Sequence, residues 1–126
     1  MCGIVGLFLK DAALQPSLGA LMAPMLAEMT DRGPDSAGFA IYRDGPARPT
    51  LSCLAPEGFD WPGAARALAD ATGAEVGVER LSDHALLRVS GDLRAARRWL
   101  IDHVPQVDVL ASGDAIETFK GVGDPL

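Results

Sequence analysis

Apolar positions near the amino terminus fall first in a continuous run and then at helical spacing. The run Cys2–Leu9 is apolar and contains adjacent β-branched residues, which predicts a buried strand at the start of the chain. Over residues 16–30 the apolar residues recur at intervals of three and four, which predicts an amphipathic helix. Pro24 lies inside this pattern. Because its nitrogen cannot bond to the carbonyl of Ala20, we expect Pro24 to kink or divide the helix.

The rest of the chain alternates between strand patterns and two further helices. Gly33 and Pro34 predict a turn over residues 31–35. Asp60 is a predicted cap of one helix and Asp92 of another, and Gly73 is expected to end the first. The predicted helices are Trp61–Ala71 and the segment from Asp92 to His103, and the predicted strands are Ser36–Arg43, Thr50–Leu54, Glu75–Arg80, Asp83–Val89, Val107–Ala111 and Ala115–Lys120.

The order of these elements indicates the fold class. The predicted order is strand, helix, several strands, helix, strands, helix and strands, with no regular alternation of strand and helix. This order favours an α+β layered domain over a doubly wound parallel sheet. Spacing on the last helix predicts that Leu93, Ala96, Leu100 and Val104 form its buried side.

Composition narrows the possible partners. The chain has 126 residues, the size of one domain, with 48% hydrophobic and 22% charged residues, which argues against disorder. Acidic residues outnumber basic ones by 17 to 11, for a net charge of −6. This balance disfavours binding to nucleic acid or to an anionic membrane surface, and no apolar run is long enough for a bilayer span. We therefore expect neither a nucleic-acid nor a membrane partner.

Two cysteines are too few for a disulfide framework and lack metal-ligand spacing, so a reducing, cytoplasmic setting is the simplest interpretation. No signal peptide is visible. Cys53 lies in a predicted strand and is expected in the core. His84 and His103 belong to different elements, so we predict no metal site and no cofactor.

Cys2 follows the initiator methionine directly. Removal of Met1, which a small second residue usually permits, would leave a cysteine with a free α-amine. The amine titrates near neutrality and can act as the base for the thiol, so one residue carries both nucleophile and base. On position alone, however, Cys2 is also consistent with a small hydrophobic residue that opens a buried strand.

A second feature is the loop Arg32-Gly33-Pro34-Asp35-Ser36-Ala37-Gly38, which joins a predicted helix to a predicted strand. A guanidinium and a carboxylate this close in sequence can hold a loop by a charge-assisted hydrogen bond. Alone, this segment is better explained as an ordinary turn between a helix and a strand.

The two features together resemble the class II glutamine amidotransferases, which are N-terminal-nucleophile (Ntn) hydrolases. The resemblance rests on MCGIVGLF at the start and RGPDSAGFAIY about 30 residues later, in the family's order and spacing. The later segments HALLRVSGDLRAARRWL and VLASGDAIETFKGVGDP look like the stand-alone amidotransferase subunits related to glutamate synthase.

The resemblance implies a fold and a reaction. The fold would be an αββα sandwich of mainly antiparallel sheets. Cys2 would attack the side-chain amide of L-glutamine, and the ammonia would pass to an acceptor on a synthase domain or subunit. Arg32 and Gly33 match the family loop beside the nucleophile and would shape the site, while Asp35 and Gly38 would maintain that loop.

Other family motifs are missing from this chain. The family uses an arginine in a Thr-Arg segment to bind the glutamine carboxylate, an Asn-Gly pair for the oxyanion hole and an aspartate for the substrate amine. The sequence contains no Thr-Arg dipeptide and no asparagine. We therefore expect residues 1–126 to be the amino-terminal portion of a type-2 amidotransferase domain, an incomplete fragment. The alternative is a non-catalytic binding or regulatory module without the glutamine clamp.

Overall fold

The computed structural model describes residues 3–33 and 35–123, which divide into two compact units, residues 3–38 with 120–123 and residues 39–119. The helices are α1 (Leu18–Ala27), α2 (Trp61–Thr72) and α3 (Leu93–His103), and the strands are β1 (Ser36–Tyr42), β2 (Thr50–Leu54), β3 (Glu75–Leu81), β4 (His84–Ser90), β5 (Asp108–Gly113) and β6 (Ile116–Val122). Short 3-10 helices form at Ala12–Ser17 and Thr30–Arg32. From Ser36 onward, each predicted element forms within two residues of its predicted bounds. No helix in this described part of the chain is long and apolar enough to cross a membrane.

The predicted strand at the amino terminus is wrong for its described residues. Residues 3–10 have no regular secondary structure, and Ile4 and Phe8 are 96% and 80% exposed. A strand persists only when its backbone N–H and C=O groups pair with a neighbour. The two sheets found among the described residues do not include this segment. An apolar run therefore did not suffice to make a strand here, and Cys2 itself lies outside the described residues.

The first α-helix is shorter than the 16–30 segment predicted from the apolar spacing. Helix α1 runs continuously through Pro24, so the expected division of the helix does not occur. Proline removes a single donor, while its own carbonyl still accepts a hydrogen bond from the N–H of Glu28 at 3.2 Å. None of the α1 residues is buried, although several of its apolar side chains are half-buried.

Four antiparallel strands form the main sheet of the unit 39–119, in the order β3-β4-β2-β5. Strands β2 and β4 are central, and each contains four buried residues. Their register places Leu51 opposite Leu87 and Cys53 opposite Ala85. Because side chains alternate between the faces of a strand, burial of consecutive residues requires that both faces be covered.

Helices α2 and α3 pack with one face of this sheet. The side chain of Asp60 accepts a hydrogen bond from the N–H of Gly63, and Asp92 accepts from two N–H groups at the start of α3. Gly73 adopts a left-handed conformation, with φ of +70°, and ends α2 as expected. The core comprises Leu51, Cys53, Ala55, Trp61, Leu68, Ala85, Leu87, Val89, Ala96, Leu100 and Val107, against which Leu93, Trp99 and Val104 are partly buried. The predicted buried side of α3 is confirmed.

Strand β6 lies against the other face of the same sheet. The N–H of Thr118 donates to the hydroxyl of Ser52 on β2 at 3.0 Å, and the ring of Phe119 lies 5.6 Å from that of His84 on β4. β6 also pairs with β1 in a second sheet, of two strands. The α+β class with antiparallel sheets is therefore confirmed, and the αββα layering of an Ntn hydrolase stays a prediction.

Candidate active site

The described residue next to the predicted nucleophile packs against the predicted loop. A Cβ atom built on Gly3 would lie 3.0 Å from Sδ of Met29 and 3.2 Å from both Cβ and Cδ of Arg32. These distances are tighter than ordinary van der Waals contact, so a side chain at this position would need its neighbours to move by a few tenths of an ångström. Glycine allows the close approach without such a shift. The structure thus brings residue 3 and Arg32 together, although they are far apart in sequence.

Local backbone hydrogen bonds hold Arg32 in this place. After α1, the N–H of Arg32 donates to the carbonyl of Met29 at 2.9 Å, and that of Gly33 donates to the carbonyl of Thr30 at 3.2 Å. These bonds close the 3-10 turn Thr30–Arg32, which ends at Gly33. The turn directs the aliphatic stem of Arg32 against Gly3, while the arginine as a whole remains exposed.

Asp35 and Gly38 occupy the entry and the middle of β1. The carbonyl of Asp35 accepts a hydrogen bond from the N–H of Gly123 at 3.0 Å. Asp35 and Arg32 are both exposed, and these two described residues form no ion pair with each other. The loop geometry therefore comes from backbone hydrogen bonds, and the suggested arginine–carboxylate contact is wrong. Gly38 lies in β1 and is also exposed.

The second cysteine is unsuited to nucleophilic chemistry. Cys53 is 1% exposed at the centre of the core. Burial raises the pKa of its thiol to about 12. Since only the thiolate is nucleophilic, Cys53 is inert near neutrality. Its predicted place in the core is confirmed.

A buried ion cluster lies between β6 and the four-stranded sheet, and it was not expected from the sequence. Glu117 is 3% exposed and accepts hydrogen bonds from the guanidinium groups of Arg43 at 3.0 Å and Arg88 at 2.8 Å. Arg88 also donates to the hydroxyl of Thr50 at 2.8 Å and to Glu79 at 3.0 Å. The sequence feature that could have indicated this cluster is Arg88, because it is a charged residue within a mainly apolar predicted strand.

The two principal members of this ion cluster remain charged. Burial disfavours the charged form of Glu117, but the hydrogen bonds and positive charges of Arg43 and Arg88 outweigh it and lower the pKa of the carboxyl. Burial likewise opposes the charge of Arg88, and its bonds to Glu117 and Glu79 raise its pKa nonetheless. A cavity of about 50 Å³ adjoins these residues. With every carboxylate oxygen of Glu117 paired, the cluster acts as a structural element and offers no proton for chemistry near neutrality.

The two histidines lie in separate surroundings. Nδ1 of His84 lies 2.8 Å from the carboxylate of Asp83, and Nδ1 of His103 lies 3.0 Å from the carbonyl of Trp99. Within residues 3–33 and 35–123, no group of three or more His, Cys, Asp or Glu side chains could hold a metal ion.

Comparison with known proteins relates the chain to amidotransferases. It is 44% identical over 129 residues to the glutamine amidotransferase-like protein GlxB of Rhizobium meliloti (strain 1021), across 99% of this chain and 42% of that protein. It is 32% identical over 137 residues to a putative glutamine amidotransferase of Methanothermobacter thermautotrophicus, across 100% of this chain and 45% of that protein. The chain therefore spans less than half the length of these curated relatives.

No family model matches the chain, and no solved structure matches it. The resemblance that began with two short motifs nevertheless extends along the whole chain in both relatives. The chain thus has homologues that are named as glutamine amidotransferase-like proteins.

Proposed function

We propose that residues 1–126 are the amino-terminal portion of a class II glutamine amidotransferase domain, with Cys2 as the catalytic nucleophile. The observation that carries this proposal is the 44% identity to an amidotransferase-like protein over 99% of the chain. Identity at this level along a whole chain means common descent, and the nucleophile motif of the family occurs here at residue 2.

The proposed reaction uses the chemistry of an amino-terminal cysteine. Once Met1 is removed, the free α-amine accepts the thiol proton, and Sγ attacks the side-chain carbonyl carbon of glutamine. The C–N bond breaks, the nitrogen takes up a proton, and ammonia leaves. Water then hydrolyses the glutamyl thioester, which releases glutamate and restores the thiol.

Two structural observations support Cys2 over other groups. Its neighbour Gly3 packs against Arg32, which lies in the segment that matches the family loop beside the nucleophile. The alternative thiol, Cys53, is buried with a pKa of about 12. Arg32 and Gly33 would therefore shape the wall of the site, and Asp35 and Gly38 would maintain the strand that follows.

The proposal extends to the fate of ammonia. The sequence segments shared with stand-alone amidotransferase subunits indicate that a separate synthase domain or subunit accepts the ammonia. The chain would work on L-glutamine in the cytoplasm and would need no cofactor of its own. The αββα sandwich would place the amino terminus within the layered fold.

A second candidate is a non-catalytic binding or regulatory module. It is favoured by one observation: the chain contains no asparagine and no Thr-Arg dipeptide. An oxyanion-hole donor contributes about two to three orders of magnitude in rate, so a site without one would hydrolyse glutamine poorly.

Intact mass spectrometry after treatment with a glutamine-analogue diazoketone tests the proposal. We expect protein that lacks Met1 and carries one label. The Cys2→Ala variant should remain unlabelled, while the matched Cys53→Ala variant should be labelled like the wild type. Retained Met1 would exclude the free-amine mechanism for that preparation.

Alkylation kinetics separate the two candidates if the diazoketone does not react. An activated Cys2 thiolate should react with iodoacetamide near neutrality much faster than a model thiol. Rapid alkylation without diazoketone labelling would mean an activated nucleophile that needs further substrate-binding groups. Slow alkylation at both cysteines would favour the non-catalytic module.

A further inference from the structure

Helix α3 presents a basic surface that the proposed reaction does not use. Arg94, Arg97 and Arg98 are all exposed, and none of them forms an ion pair or side-chain hydrogen bond with any described residue. They are three of the eleven basic residues in a chain of net charge −6. An acidic chain that gathers unpaired arginines on one helix has a localised positive field there.

An apolar side chain lies at the centre of this surface. Ile101 is 48% exposed. It follows Arg94, Arg97 and Arg98 by seven, four and three residues, which places all three arginines on the same face of the helix. The opposite face of α3 is occupied, because Ala96 and Leu100 are fully buried in the core. The arginines and Ile101 are thus held outward by a rigid, well-packed helix; we call these four residues the arginine surface.

We propose that the arginine surface binds an acidic segment of another polypeptide, one that carries an apolar side chain flanked by carboxylates. The apolar side chain would cover Ile101, and the carboxylates would pair with the surrounding guanidinium groups. Arginine favours this role because its planar group binds carboxylates in a bidentate manner and is enriched at protein interfaces.

One feature favours an acidic protein segment over a nucleic acid. The exposed isoleucine among the arginines gains nothing from a phosphate backbone, whereas it buries apolar area against a polypeptide side chain. This inference is independent of the proposed glutaminase chemistry.

A binding measurement with a defined probe tests it. The probe is a fluorescently labelled synthetic helical peptide with glutamates around a stripe of leucines, and its anisotropy is followed with the full chain. We expect saturable binding that weakens as salt increases. Arg97→Glu and Ile101→Ala should each weaken binding by about tenfold or more. The control Arg66→Glu makes the same charge change at an exposed position of α2 and should alter binding less than about twofold.

The outcomes decide the proposal. Equal effects of Arg97→Glu and Arg66→Glu would overturn it, because binding would then follow net charge alone. If a single-stranded oligonucleotide or anionic vesicles displaced the labelled peptide at a lower concentration than the unlabelled peptide does, the proposal would be overturned in favour of that ligand. If the peptide did not bind even at low salt, the proposal would be overturned as well. Circular dichroism melting verifies that each variant folds, and Arg97→Gln replaces Arg97→Glu if the charge reversal unfolds α3.

Discussion

Removing the charge of Glu117 tests the role of the buried ion cluster. The Glu117→Gln variant keeps the size and shape of the side chain. Its amide oxygen can still accept one hydrogen bond, but its NH2 group would face a guanidinium, which has no acceptor. The substitution therefore removes the negative charge from between Arg43 and Arg88 and places two donors against each other.

The structure sets the expected magnitude. The bond from Arg88 is short, at 2.8 Å, and this arginine is 28% exposed, so we count it as a charged hydrogen bond of about 1.5–3 kcal/mol. Arg43 is 52% exposed, so solvent screening limits its bond to about 0–1 kcal/mol. Together they predict that Glu117→Gln lowers the free energy of unfolding by about 1.5–4 kcal/mol at pH 7.

Urea unfolding measures this difference, and its pH dependence checks the cause. The pKa of Glu117 is lower in the folded than in the unfolded protein. Its contribution to stability is therefore complete above the pKa of the unfolded chain, which is about 4.3 for an ordinary glutamate. The contribution decreases as the pH falls through the lower folded pKa. The stability gap between wild type and Glu117→Gln should be constant near neutrality and shrink in acid.

Glu79→Gln provides the matched control. Glu79 binds the same arginine at 3.0 Å but is 55% exposed, so its loss should cost no more than about 1 kcal/mol. The reasoning is refuted if Glu117→Gln unfolds within about 0.5 kcal/mol of the wild type, or if both substitutions cost the same.

Three further predictions follow from other contacts. Gly3→Ala should reduce diazoketone labelling of Cys2, measured by intact mass, because the added Cβ would lie 3.0 Å from the sulfur of Met29. The control Gly6→Ala should be labelled normally, because its added Cβ would meet nothing within 4 Å. Leu100→Ala should lower the free energy of unfolding by about 2–5 kcal/mol in urea, because Leu100 is fully buried and its truncation leaves a cavity. Since burial raises the pKa of Cys53 to about 12, iodoacetamide at neutral pH should modify this thiol only after unfolding, and modification of the folded chain would contradict its burial.

The sequence predicted the part of the chain whose local signals agree with one another. Asp60, Gly73 and Asp92 mark helix ends by short-range capping, and the structure uses all three in that way. Strands β2 to β5 combine apolar patterns with clear turns, so their bounds follow within two residues. Likewise, the motifs around Cys2 and Arg32 predicted the amidotransferase relationship, because the residue types and their order are themselves the signal.

Tertiary structure alone decided what depends on partners distant in sequence. The segment after Cys2 has strand-like residues, but no strand among the described residues pairs with it, because pairing depends on a neighbour that composition cannot specify. The approach of Gly3 to Arg32 and the burial of Glu117 between two arginines likewise depend on how separated segments meet. Hydrophobic spacing and capping act over a few residues and can be predicted from sequence, whereas pairing, close packing and desolvation are properties of the assembled chain.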